Sequence, residues 1–306
     1  MTQPRKLITA EDIKELFENK PIARLEEHHF TEPEPILCKW CGSNEIKKYG
    51  ISGGTQEYYC LKCNRKFINN DNPFGKRSTF EQIGTSISSY YDGLSFADIA
   101  RHQKESGNEV NESTVYRWVI NYAQKAIRIL DKYQPKVGNI WIADETVIKF
   151  NGQNYWLWDI IDKKTRFLIA SYLSENRGTL QAKKLMELAS KRTGINPSAV
   201  ITDKLRAYLD GIEIVFGGYT EHIQSSPFAS EDDTNEIERF QGTIKDRTKV
   251  IRGFKTFETA LIILDGFLVH YNFFRPHISL KGKTPAEVAG VNIPFKTWTE
   301  FVRADK

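Results

Sequence analysis

Cysteine is scarce in this chain of 306 residues, and no apolar run reaches the ~18 residues that a membrane span needs. The longest such run, residues 260–269, is interrupted by Asp265 and Gly266. The first twenty residues carry Arg5, Lys6, Glu11, Asp12, Lys14 and Glu15 without an apolar stretch, which does not read as a signal peptide. A soluble cytoplasmic protein, with no membrane partner, is the expectation. There is no internal repeat, and 11 prolines and 20 glycines are too few for a fibrous chain. A hydrophobic fraction of 40% is enough to bury a core, and the length suits about two domains. Charge of one sign is also lacking overall, the net being +4. It is patterned locally instead. Residues 38–77 and 241–283 each hold eight bases against three acids, whereas residues 221–238 hold six acids and no Lys or Arg. Two basic segments around an acidic one suit a chain that meets a polyanion and gathers metal in a pocket.

The four cysteines fall in one segment, Cys38-x2-Cys41 and Cys60-x2-Cys63. Two such pairs let four thiolates converge on a single tetrahedral Zn(II), and four protein ligands leave no open position, so the expected ion is structural. Gly42 and Asn64 follow the pairs and tolerate the positive φ of tight knuckles. Tyr49, Gly53-Gly54, Tyr58 and Tyr59 read as a short hairpin, with Phe67 as an apolar prop. A redox pair would need a strand–helix context that is missing, and disulfides do not suit a chain that is not exported. The segment is therefore a zinc ribbon, with Lys39, Lys47, Lys48, Lys62, Arg65 and Lys66 on it to meet nucleic-acid backbone or a protein partner.

Residues 78–130 turn helical. Phe80, Ile83, Ile87 and Tyr90 recur at helix spacing up to Asp92-Gly93. Ser95 caps a second helix with Asp98 three residues on, and a third begins near Ser113 with Val115, Trp118, Val119, Tyr122 and Ala126 as its buried stripe. Ser113, Thr114, Tyr116 and Arg117 are left at the tip of that third helix. Three short helices with such a tip describe a helix-turn-helix that reads double-stranded DNA in the major groove, and helix spacing alone would equally suit a plain three-helix bundle.

After Gln134-Pro135 the period becomes extended. Residues 140–150, 154–162 and 166–174 read as strands, joined first by an Asn151-Gly152 turn. An amphipathic helix over 178–192 follows, with Leu180, Leu185, Met186 and Leu188, then a buried strand over 198–203, a helix from Lys204, a strand around 213–216, an acidic loop and two long helices. That order is an α/β RNase H-like mixed five-stranded sheet with flanking helices. Asp144 lies within the first of these strands and Asp203 ends the fourth, which is its neighbour in this topology. Such paired carboxylates suit a hard divalent ion, Mg(II), and two ions can activate the attacking oxygen and stabilise the leaving one. On the helix after the acidic loop, Glu238 shares a face with Gln241 and Lys245, while Glu236, two residues away, points elsewhere. Glu145, next to Asp144 on a strand, is expected on the other face of the sheet. Asp159 and Asp162 read as strand-end or turn acids, Trp156 and Trp158 as core, and His222, His270 and His277 as surface or core histidines. Lys245 and Arg252 place positive charge after Glu238, suited to DNA phosphates.

These residues resemble a family. Asp144, Asp203 and Glu238, with 34 residues between the last two, are similar to the DDE triad of insertion-sequence transposases and retroviral integrases. The runs A-D-E-T-V-I-K-F-N-G at 143–152, I-T-D at 201–203 and N-E-I-E-R at 235–239 resemble the insertion-sequence-six group of prokaryotic transposases. So do Tyr271-Asn272, Arg275-Pro276-His277 and Thr284-Pro285-Ala286 near the end. Where relatives often carry Asp-His-Arg after the glutamate, this chain has Phe240-Gln241-Gly242. The resemblance implies a DDE transposase that binds terminal inverted repeats and catalyses metal-dependent cleavage and strand transfer. Its cofactors would be two Mg(II) ions, replaceable by Mn(II), on Asp144, Asp203 and Glu238, with one structural Zn(II) on Cys38, Cys41, Cys60 and Cys63. Its partners would be element ends, target DNA and a second copy in a homodimer or larger synaptic assembly, in the nucleoid. The alternatives are a catalytically silent DNA-binding regulator and a nuclease that hydrolyses without rejoining. The expected division is an acidic segment and linker over 1–36, the zinc ribbon over 37–72, the helix-turn-helix over 78–130, the catalytic domain over 136–290 and a tail over 291–306.

Overall fold

The computed structural model describes residues 35–70, 72–73, 76–150, 153–225, 234–250 and 257–304. A helix expected after Thr9, the Asn151-Gly152 turn and Arg252 lie outside the described residues. The chain divides into two compact units, Met1–Asn69 and Asn70–Lys306.

In the first unit β1 (Ile46–Ser52) pairs antiparallel with β2 (Thr55–Cys60), and β2 with β3 (Lys66–Ile68). The turn from β1 to β2 is made by Gly53 and Gly54, both at positive φ. Among the described residues Cys38, Cys60 and Phe67 form its buried cluster, with Tyr58 stacked on Phe67 at 5.7 Å. Tyr49 and Ile51 stay exposed.

The second unit begins with three helices, α1 (Phe80–Asp92), α2 (Phe96–Glu105) and α3 (Glu112–Leu130). Thr79 and Gln82 close a capping box on α1, and Gly93 ends it at φ 117°. Ser95 caps α2. The third helix starts earlier than expected: its cap is Asn111, whose Oδ1 accepts from Thr114 N at 3.0 Å, and Ser113 lies in the first turn. Asn is as good a cap as Ser, and placed here it satisfies a backbone donor that Ser113 could not reach.

The sheet has the order β6-β5-β4-β7-β8, from β4 (Ile140–Phe150), β5 (Gln153–Asp162), β6 (Leu168–Ser174), β7 (Ala199–Thr202) and β8 (Glu221–Gln224). Strands β4, β5 and β6 meander antiparallel, while β4–β7 and β7–β8 are parallel. This is the RNase H-like mixed sheet. Between the strands run α4 (Thr179–Thr193) and α5 (Arg206–Phe216), and after β8 come α6 (Asn235–Val250), α7 (Phe257–Val269), α8 (Pro285–Val288) and α9 (Trp298–Ala304). Residues 213–216 are helical, contrary to the expected strand. The run I-E-I-V-F is β-branched, yet Ala207, Tyr208, Gly211, Ile212 and Phe216 bury one stripe of α5, and the eighth strand begins only at Glu221. Leu180 also departs from its expected place, being 75% exposed at the first turn of α4.

The three-helix module shares a core with the rest of this unit: α3 packs on α7 and α1 on α9. Tyr91 stacks on His270 at 5.5 Å and on Trp298 at 5.6 Å, and His270 Nδ1 accepts from Trp298 Nε1 at 3.1 Å. A Cβ at Gly266 would meet Tyr91 Oη at 1.9 Å, so only glycine lets α7 approach α1 this closely. Helix α9 buries Trp298, Phe301 and Val302 although the sequence reads as a tail. Trp298→Ala should therefore destabilise the second unit by about 3–5 kcal/mol in urea titration, the cost of emptying a packed aromatic site. A loss below ~1 kcal/mol would mean that α9 is only draped on the surface. Among the described residues no helix is long and apolar enough to cross a membrane.

Candidate active site and metal centres

The cysteine group is built by two matching turns. Gly42 N donates to Cys38 O at 2.9 Å and Asn64 N to Cys60 O at 3.0 Å, with Gly42 at φ 70° and Asn64 at φ 56°. Both knuckles thus use a residue type suited to the left-handed region. Cys38 Sγ lies 3.7 Å from Cys63 Sγ, Cys41 Sγ lies 3.6 Å from Cys60 Sγ, and all four sulfurs lie within 4.8 Å of one another. A tetrahedron with Zn–S of about 2.3 Å has edges of about 3.8 Å. The thiols are free, and the spacing fits one zinc and no disulfide. Around them Arg65 lies over Trp40 at 4.4 Å and Lys66 over Tyr49 at 3.8 Å.

The acidic centre follows from register. Ile142 pairs with Ile201 in the parallel β4–β7 ladder, so Asp144 and Asp203 each stand two residues beyond a matched pair. Asp203 Oδ1 accepts from Leu205 N at 2.9 Å, which fixes its carboxylate at the strand end. Carboxylate oxygens of Asp144, Asp203 and Glu145 all lie within 4.8 Å of one another. Crowding has a measurable consequence. Burial, then the charges of Glu145 and Asp203, push the Asp144 carboxyl up to about 7.

Glu145 departs from its expected place. Its backbone does face the side opposite Asp144, pairing with Trp158 and lying by Tyr208. Its longer side chain nevertheless brings an oxygen back to the strand end where Asp144 and Asp203 meet. Arg177 Nε donates to Glu145 Oε1 at 2.8 Å, and the Arg177 NH2 group closes on the same oxygen. Arg177 also lies over the Trp156 ring at 4.6 Å. Tyr208, whose pKa is raised well above its ordinary value by burial and by Glu145, stays a neutral phenol beside it.

Asp159 is likewise no strand-end acid. It is the direct cross-strand partner of Asp144, fully buried in mid-sheet, and it accepts from Ser171 Oγ at 2.6 Å. Burial pushes it up to about 7. The Gln241 amide comes near enough to pull that value down without closing a full hydrogen bond, since Gln241 Nε2 and Asp159 Oδ2 are both left unsatisfied. Asp162 is the turn acid expected: its Oδ2 accepts from Thr165 N at 2.8 Å. Trp158 is core, and its Nε1 donates to Ser174 Oγ at 2.9 Å.

Helix α6 buries Thr234, Ile237, Phe240, Gln241 and Ile244 and packs on β4 and β5. Gln241 beside Asp159 sets which side of α6 overlies the Asp144 face. Glu238, one turn before Gln241, flanks that stripe. It is exposed, accepts from Thr234 Oγ1 at 2.8 Å and is outside the acid group in this arrangement. Glu236 is paired instead with Arg166. Lys245 is exposed two turns beyond Glu238. In the three-helix segment, Ser113 and Arg117 are exposed and Thr114 and Tyr116 half-buried. Arg117 Nε donates to Ser113 O at 3.0 Å, and Tyr116 meets Phe96 edge-on at 5.5 Å.

A meander followed by alternating helix and strand, with paired acids on its two central neighbours, defines an RNase H-like domain. The DDE domain family DDE_Tnp_IS240 matches residues 138–277. It is 36% identical over 111 residues to a transposase for insertion sequence-like element IS431mec of Staphylococcus aureus, covering 36% of this chain and 49% of that protein. It is 35% identical over 111 residues to the transposase for element IS257 in transposon Tn4003 of the same organism, again 36% and 49% of the two chains. The chain thus spans about half the length of the curated relatives it matches. Among solved structures, the HTLV-2 integrase catalytic core in complex with magnesium is similar at 19% identity and TM-score 0.41, over 51% of this chain and 99% of that one. The BIV integrase core follows at 16% identity and TM-score 0.36, over 50% and 93%.

Proposed function

We propose that the protein is a DNA transposase that binds the terminal inverted repeats of its element and cuts and joins strands at Asp144, Asp203 and Glu238. The observation that carries this is the approach of the Asp144 carboxylate, within β4, and the Asp203 carboxylate, just past the end of the adjacent parallel strand β7, in the segment that the DDE family matches. Oxygen-only donors of this kind fit Mg(II) or Mn(II), and Asp144, its carboxyl pushed up by burial and by the charges beside it, is a group that a cation would relieve. Two such ions, when bound, supply activation of the attacking oxygen and stabilisation of the leaving one. The chain's own part is placement. Asp144 on β4 and Asp203 just after β7 would offer two ligands, and Glu238 would offer a third from α6, the helix whose buried Gln241 lies beside Asp159. Thr234 holds the Glu238 carboxylate by its hydroxyl until then. Lys245, further along α6, is placed for a phosphate of the same strand. One Zn(II) on Cys38, Cys41, Cys60 and Cys63 is structural. Bringing two element ends together takes at least two copies of the chain, on double-stranded DNA.

Recognition would fall to the first turns of α3. Arg117→Ala should weaken binding to the element's own end by about tenfold, and to random duplex by far less, in a gel-shift titration at fixed salt. Equal losses on both would reduce Arg117 to a phosphate contact.

A further inference from the structure

We propose that Glu145 is a carboxylate ligand of the cation site beside Asp144 and Asp203, set in place by Arg177, an assignment that rests on the reading of this acid group as the strand-transfer centre. Its geometry is the reason. Arginine–carboxylate pairs are frequently two-oxygen forks, which use up both acceptors. Here Nε and NH2 of Arg177 both converge on Oε1. Glu145 Oε2 closes no full hydrogen bond among the described residues, on a side chain only 2% exposed; the buried Tyr208 phenol comes near enough to pull the Glu145 carboxyl down, yet its Oη is left unsatisfied as well. An unpaired buried acceptor costs about 1–3 kcal/mol, more when charged, and a fold keeps one where something else completes it. The same carboxylate has an oxygen within 4.8 Å of oxygens of both Asp144 and Asp203.

The surroundings hold Glu145 in this pose. Arg177 is 37% exposed at its side chain and is fixed from below by the Trp156 ring. Trp156 and Trp158 sit two apart on β5, opposite Val147 and Glu145, so the same strand carries the platform for the arginine and the wall against the glutamate. Arg177 precedes α4 by two residues, and its position is set by the start of that helix. A ligating carboxylate whose other oxygen is held by a fixed donor is a recurrent way of aiming a metal ligand. Arg177 is thus a positioning residue, and Glu145 adds a fourth carboxylate to the three that the triad supplies.

The test is direct Mn(II) binding by the full chain, read from the free-ion electron paramagnetic resonance signal, after one equivalent of Zn(II) has filled the thiolates. Glu145→Gln should weaken Mn(II) binding at least tenfold, and Arg177→Lys, which keeps the charge but cannot send two donors to one oxygen, by severalfold. Asp144→Asn should abolish it. Melting temperatures without metal should stay within a few degrees for both. If Glu145→Gln melts early, Glu145→Asp replaces it; shortened by one methylene, it should show the same loss. Binding by the Glu145 variant within twofold of wild type, with binding lost in Asp144→Asn, overturns the role of Glu145 and leaves the acid group's reading intact. Unchanged binding in Asp144→Asn overturns both.

Discussion

Purified protein treated with a chelator strong enough to take zinc is expected to lose residues 38–68 as a folded unit, while residues 76–304 keep their structure. The reason is the small core of the first unit. Cys38, Cys60 and Phe67 are its buried cluster, and Trp40, Tyr49, Ile51 and Leu61 are exposed. Such a unit buries too little apolar surface to offset chain entropy, so its folding depends on the ion, worth about 10–16 kcal/mol in comparable small sites. The second unit has a separate and far larger core, from Phe80 to Val302. Elemental analysis should find one zinc per chain. Limited proteolysis after chelation should cut within 38–68 first, and Cys60→Ser should behave as the chelated protein does. Zinc well below one per chain, or a ribbon that resists protease without metal, would contradict this.

Much of this was legible in the residues because the periodicities were clean. The apolar extended run I-W-I-A-D-E-T-V-I-K-F marks β4 with its true bounds, and C-x2-C followed by Gly or Asn marks both knuckles. Asp144 and Asp203 could be brought together because strand order, once recognised, fixes which strand ends are neighbours. What escaped depends on side-chain reach and on distant packing. Alternation assigns Glu145 to the far face, but does not say that a side chain two carbons beyond Cβ can return round the strand end to Asp203. Asp159 looks like a strand-end acid until the register sets it opposite Asp144 beneath α6. Residues 213–216 carry strand formers inside a helix whose stripe is decided by Tyr208 and Ile212. Helix α9 has no local mark of its role, which is to cover the aromatic cluster of α1 and α7.

The largest effect of all is expected from the triad. Asp144 lies in β4, Asp203 just after β7 and Glu238 on α6, so in the proposed ligand set none could take another's place. Asp144→Asn, Asp203→Asn and Glu238→Gln should each lower cleavage and joining by about three orders of magnitude or more, because residues that act as one unit fail together. DNA binding should persist in all three. Glu236→Gln should keep most activity, since Glu236 is engaged with Arg166 on another side of α6, and should show instead a modest loss of stability. Mn(II) should replace Mg(II), and Ca(II), larger and looser in its geometry, should support binding without turnover.

The most direct measurement is strand transfer from a pre-cut element end, carrying a free 3′-hydroxyl, into plasmid DNA with Mg(II). The account predicts joined product with wild type and none with Glu238→Gln. Metal-dependent nicking without joining would mark a nuclease, and absence of both a DNA-binding regulator. Joining retained in Glu238→Gln but lost in Glu236→Gln would contradict the placement of the third carboxylate on α6.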